Sequence, residues 1–162
     1  MTQGNGLEGK ICLVVGGRQG IGLACAQKFA SEGGRVIIGD LETSQPQEAA
    51  KQLPRTNLKH EGVKVDISDV ESITSMIERI ESSHGRIDIL LNSAAVLEMA
   101  SFLETSVESW DRTFAVNCRG TFVLAQAVAR SMISNSVGGR IILVASNVGR
   151  TPRMFETAYA VT

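Results

Sequence analysis

The chain has 162 residues, 43% of them hydrophobic, with sixteen basic residues against seventeen acidic ones and a pI near 6.1. That length suffices for one domain with a real core, while the balanced charge, one Trp and one Tyr give no electrostatic or stacking footprint for nucleic acid. No apolar run reaches the length of a membrane span, and Met1 to Gly9 is polar and Gly-rich, unlike a secretory leader.

Ile11 to Val15 is a short continuous apolar run and reads as a buried strand. Gly16-Gly17-Arg18-Gln19-Gly20-Ile21-Gly22 follows at once. From Gly20 onward Ile21, Ala24, Cys25, Lys28 and Phe29 recur at helical spacing, predicting a helix over 20–32 that Gly33-Gly34 ends. Glycines between a strand and a helix suit a phosphate cradle. They allow a tight turn and bare backbone N–H groups, and the helix adds its unpaired amides and positive dipole end. The next strand, 35–39, runs into Asp40, where a carboxylate can accept both hydroxyls of an adenosine ribose and repel a 2′-phosphate. Leu41 rather than a basic residue follows it, and Gln19 rather than a cation precedes Gly20, which points to NAD over NADP. Arg18 is the one loop cation that argues for phosphate, or else a solvated arginine.

Further along, helical patterns at 44–53, 69–83 and 106–134 alternate with strand patterns at 62–66, 87–92 and 140–145. Ser68 or Asp69 caps the second of these helices, and Trp110, Phe114 and Phe122 read as core residues of the long one. Strands separated by helices imply right-handed crossovers and a doubly wound parallel sheet, an α/β fold in one domain over 1–162. Ligands bind such sheets outside the carboxyl ends of the strands, where Asp66-Ile67 and Asn92-Ser93-Ala94-Ala95 fall. Taken alone, Asp66 and Asn92 read equally as caps or turn residues and as ligand contacts. His60 and His84 lack partners at ligand spacing, so no metal site is expected; His84, just before Gly85, is placed to meet the last carbonyls of its helix. Cys12, Cys25 and Cys118 lie in apolar positions and read as packing residues of a protein in a reducing cytoplasm.

Together the segments Gly16–Gly22, Asp66-Ile67, Asn92-Ser93-Ala94-Ala95, Asn117-Cys118-Arg119-Gly120-Thr121-Phe122, Ser146 and Tyr159 resemble the short-chain dehydrogenase/reductase family, from Lys10 to Thr162. The resemblance implies a Rossmann-like sheet. Gly16, Arg18, Gln19, Gly20, Ile21 and Gly22 would surround or line the pyrophosphate, and Asp40, with Leu41 beside it, would hold the adenine ribose. Asp66 and Ile67 would meet the adenine, and Asn92 and Ala94 would pass beside the cofactor. Ser146 would hydrogen-bond the substrate oxygen, Tyr159 would exchange its proton and reach the nicotinamide ribose, and Asn117 would hold a relay water. The expected reaction is NAD(P)-dependent interconversion of a secondary alcohol and a ketone, with NAD favoured over NADP, by a homo-oligomer (dimer or tetramer) in its full-length form, with no nucleic-acid or membrane partner. Without the family pattern, Ser146 reads as a turn cap, Asn117 as a polar helix residue and Tyr159 as a half-buried packing residue.

The chain departs from the family pattern at four places. Val15 replaces the Thr whose hydroxyl can tie the glycine loop to neighbouring backbone, and Ser93 and Ala95 replace Asn and Gly. The family's Tyr-x-x-x-Lys would put its lysine immediately after Thr162. A tyrosine with an ordinary pKa near 10 is only about one part in a thousand ionised at neutral pH, and the lysine lowers that pKa. The sheet is therefore expected to be incomplete at the C-terminus and the 140–145 strand to be an apolar edge prone to aggregation. A piece of a longer enzyme is the simplest account, the alternative being an inactive module that binds a dinucleotide or a partner.

Overall fold

The computed structural model describes residues 6–54 and 58–162, so the first five residues of the polar stretch before Lys10 lie outside it. Five strands form one parallel sheet: β1 (Ile11–Val15), β2 (Arg35–Asp40), β3 (Glu61–Lys64), β4 (Ile89–Asn92) and β5 (Arg140–Leu143), in the spatial order β3-β2-β1-β4-β5. The register aligns Val15 with both Gly39 and Asn92, so the glycine turn leaves the sheet between the ends of β2 and β4. There the strand order reverses direction, opening the crevice in which doubly wound sheets take their ligands.

Alternation along each strand sends side chains to opposite faces. Leu13, Val15 and Ile37 pack on one face against Ile73, Ile77 and Ile80 of α3 (Val70–His84) and Leu124 and Val128 of α5 (Thr121–Ser134). Cys12, Val14, Val36 and Ile38 pack on the other against Ala26 and Ala30 of α1 (Gly20–Ser31) and Ala49 and Ala50 of α2 (Pro46–Lys51). Both faces are covered, as the apolar strands require. Burial, with Asp88 nearby, pushes the Cys12 thiol up to about 12, so it packs as an inert group. Cys25 and Cys118 are only partly buried, and all three are free.

Several boundaries differ from the sequence reading. The 44–53 pattern divides into a 3-10 turn, Glu42–Ser44, and α2, because Gln45 adopts a left-handed conformation between them. Strand 62–66 forms one residue earlier and ends at Lys64. Strands 87–92 and 140–145 contract to β4 and β5. The long 106–134 helix is α4 (Val107–Phe114), a π turn over Ala115–Gly120, and α5. Asp69 rather than Ser68 caps α3, its carboxylate accepting from the Glu71 N–H at 2.9 Å. His84 turns away from the helix carbonyls and pairs instead with the Glu61 carboxylate, where a charged partner is available. Trp110 and Phe114 stack on each other, but Trp110 and Phe122 face outward rather than into the core. Helical periodicity marks an apolar stripe without saying whether a neighbour covers it.

Candidate active site

Two glycines determine the shape of the turn. Gly16 has φ +76°, and a Cβ there would fall 2.6 Å from the Ala94 nitrogen. A Cβ on Gly22 would fall 2.2 Å from the Gly16 carbonyl oxygen. Any larger residue would push the turn off β4 or α1 off the turn, so backbone approaches backbone here as a diphosphate cradle requires. Gln19 starts α1 without a side-chain cap, which leaves the first-turn amides free of side-chain acceptors. Gly20, Ile21 and Gly22 stand in the wall of a cleft of about 640 Å³, a volume suited to a cofactor.

Asp40 lines the same cleft. Its Oδ2 accepts from the Arg18 N–H at 3.2 Å and its Oδ1 from the Leu41 N–H at 2.9 Å, so the carboxylate is fixed by the glycine turn. Arg18 holds its guanidinium against the Gln19 side chain at 3.4 Å. Asp66 and Ile67 line the cleft too, but Asp66 Oδ1 accepts from both the amide and the hydroxyl of Ser68, at 2.9 and 2.7 Å. Its carboxylate is therefore a turn residue, and what it offers a ligand is the remaining oxygen.

Asn92 is almost wholly buried, donating to Thr121 Oγ1 at 3.0 Å and accepting from the Ala94 N–H at 3.1 Å. It shapes the bend that brings Ala94 to the cleft wall, and it lines a smaller adjoining cavity rather than the cleft itself. Asn117, in the π turn, accepts from the Val96 N–H at 2.8 Å and donates to the Val96 carbonyl at 3.0 Å and to Thr162 Oγ1 at 3.1 Å. Both ends of its side-chain amide are engaged. With both amide protons donated, what the side chain still offers a relay water is the second lone pair of Oδ1.

Ser146 and Tyr159 line both the 640 Å³ cleft and an adjoining cavity of about 280 Å³. Ser146 caps the Asn147–Gly149 turn by accepting from the Val148 N–H at 3.2 Å, which leaves its hydroxyl proton available. Tyr159 sits on α6 (Thr157–Ala160), whose approach is held by a parallel bridge between Ala100 and Glu156. The structure thus brings Ser146 and Tyr159 into one cleft with the glycine turn and Asp40. Sequence reasoning missed Arg112, which lines the cleft and pairs with Glu98 at 2.7 Å, and Ser93. No sequence spacing links Arg112 to the site, whereas Ser93 was visible as a departure beside Asn92.

The model of the short chain dehydrogenase family matches residues 10–162. Galactitol 2-dehydrogenase of Agrobacterium fabrum is 35% identical over 153 residues, covering 94% of this chain and 59% of that protein. D-threitol dehydrogenase of Mycolicibacterium smegmatis is 37% identical over 153 residues, 94% of this chain and 58% of its own length. Among solved structures, NAD+-bound xylitol dehydrogenase superposes with a TM-score of 0.89 at 27% identity, over 96% of this chain and 60% of that one. The chain thus spans about 60% of the length of the proteins it matches. With its glycine turn, its sheet order and a match from Lys10 to Thr162, this chain belongs to the short-chain dehydrogenase family.

Proposed function

We propose that the protein oxidises a secondary alcohol of a small polyol to the ketone, or reduces the ketone, using NAD. One observation carries the cofactor reading. The glycine cradle and a carboxylate held by that same turn line one cleft together with Ser146 and Tyr159. The fit rests on a turn kept tight by the bare backbones of Gly16 and Gly22 and on the uncapped start of α1 in the wall of the cleft. When bound, the nicotinamide ring supplies the hydride acceptor or donor. Main-chain amides of residues 16–22 would hold the diphosphate, Asp40 the adenosine ribose, Asp66 and Ile67 the adenine, and Ala94 the face beside the ring. Ser146 donates its free hydroxyl proton to the substrate oxygen as charge develops there, and Tyr159 exchanges the proton of that oxygen. Asn117 holds Val96, and so the wall of the pocket, in place.

Relatives named for galactitol, sorbitol and D-threitol support a polyol as substrate. Three free thiols support a reducing cytoplasm, and the outward-facing Trp110 and Phe122 support a homo-oligomer. No helix among the described residues is long and apolar enough to cross a membrane.

Titration with NADH and NADPH tests the cofactor reading: saturable binding with NADH preferred is expected, and neither fluorescence change nor heat with either would overturn it. In the whole protein, Tyr159→Phe is expected to abolish polyol-dependent NAD reduction while leaving the NADH dissociation constant within about twofold. Retained turnover would remove Tyr159 from proton exchange.

A further inference from the structure

We infer that Ser93 is a positioning residue for the glycine turn, supplying from the end of β4 the hydroxyl that Val15 lacks at the end of β1. The inference rests on the cofactor reading for its consequence, though not for its geometry. Ser93 Oγ lies 3.2 Å from the Val15 carbonyl oxygen and 3.1 Å from that of Gly16, and donates its single proton between them. The Ser93 N–H also donates to the Val15 carbonyl at 2.9 Å.

Those two carbonyls mark the point where the chain leaves the sheet. The β1–β4 register ends at Val15 opposite Asn92, and the next residue, Gly16, already has φ +76°. On the β2 side the Gly16 N–H is still held, by the Gly39 carbonyl at 2.9 Å. On the β4 side the Ser93 hydroxyl reaches one residue beyond the ladder and takes over its work. The same oxygen occupies the niche opened by Gly22, where a Cβ would come within 2.4 Å of it. The end of β1, the first turn of α1 and the end of β4 therefore meet around one hydroxyl. Val15, 1% exposed, packs its methyl groups into the core on the α3 and α5 face and has no hydroxyl to offer the turn. Moving the hydroxyl from one strand end to the other keeps the turn tied, and a turn held in shape before binding loses less freedom on gripping a diphosphate.

The test uses Ser93→Ala, Ser93→Cys and the double variant Val15→Thr/Ser93→Ala. The readouts are NADH affinity and amide hydrogen exchange of residues 16–22, with the α3 amides as internal reference. Ser93→Ala is expected to weaken NADH binding by about three- to tenfold, the equivalent of one neutral hydrogen bond. It should also speed exchange in the turn while α3 stays protected. The double variant recovers most of both losses. Unchanged exchange in the turn of Ser93→Ala, or a double variant no better than Ser93→Ala, overturns the inference. If Ser93→Ala loosens α3 as well, Ser93→Cys decides, since it keeps the side-chain shape with a weaker donor. Loosening confined to the turn supports the role, and loosening spread equally to α3 overturns it. Failure of the unaltered chain to bind NADH would instead remove the cofactor reading, and the exchange data would still decide on Ser93.

Discussion

Both oxygens of Asp40 accept main-chain N–H groups, from Arg18 and Leu41, so the carboxylate is oriented before any ligand arrives. Its remaining lone pairs are what a ribose diol would meet, and its charge is what a 2′-phosphate would meet. Removing the side chain deletes a pair of charge-assisted hydrogen bonds, about 1.5–3 kcal/mol each, and the repulsion together. Asp40→Ala is therefore expected to weaken NADH binding by roughly tenfold or more while NADPH binding holds or tightens. Parallel titrations with the two nucleotides check this, and an unchanged affinity ratio would remove the ribose assignment. Asp40 was legible in the sequence because a strand end, a preceding glycine turn and a lone acid stand in order along the chain. The engagements of Asn92 and Asn117 were not legible. Their partners Thr121, Val96 and Thr162 lie twenty-one to forty-five positions away, and only the folded sheet brings them together.

Elements are joined by details smaller than the patterns that announce them. β3 begins opposite Ile37, so the N–H of Val36, which points to that side, has no strand carbonyl to meet. His60 fills the gap: Nδ1 accepts from the Val36 N–H at 3.1 Å, and Nε2, which then carries the proton, donates to the Pro54 carbonyl at 3.1 Å. Burial, opposed by the Pro54 carbonyl and reinforced by Arg35, lowers the imidazole pKa below its ordinary value near 6.5. The folded state therefore prefers the neutral ring. The resulting stability is complete above pH 6.5 and declines below it, as the unfolded chain takes up a proton that the native ring resists. Urea unfolding at pH 7.5 and 5.5 should show this loss in the unaltered chain and a smaller one in His60→Gln; equal slopes would refute the link. Strand and helix alternation was legible because apolar runs of the right length are bounded by Gly, Asp and Pro. The break in 106–134 was not, because apolar spacing continues through Ala115–Gly120 while the backbone widens there into a π turn.

At the scale of the whole molecule, the order β3-β2-β1-β4-β5 makes two chemically similar strands physically different. β1 and β5 are both short apolar runs, and the sequence could identify each as a strand. Ile11 to Val15 are at most 8% exposed between two neighbours and under helices on both faces. Ile141, Ile142, Leu143 and Val144 are 37–47% exposed, and β5 pairs only with β4 among the described residues. An unpaired apolar strand edge is a template for pairing with another chain. The exposed side chains add hydrophobic attraction of about 25 cal/mol for each Å² covered, with no charged residue between Ile141 and Ser146 to oppose it. The 162-residue polypeptide is therefore expected to self-associate, its weight-average mass rising with concentration in sedimentation experiments. Ile142→Lys places a charge on the edge at a site 42% exposed, where the long side chain can keep its ammonium in water. It should lower association while leaving the far-ultraviolet circular dichroism unchanged. A monomer with a sharp unfolding transition at every concentration would mean that side-chain exposure along β5 overstates the reach of its free backbone groups. Association unaltered by Ile142→Lys would instead place the contact on other exposed apolar residues, such as Trp110 or Phe122.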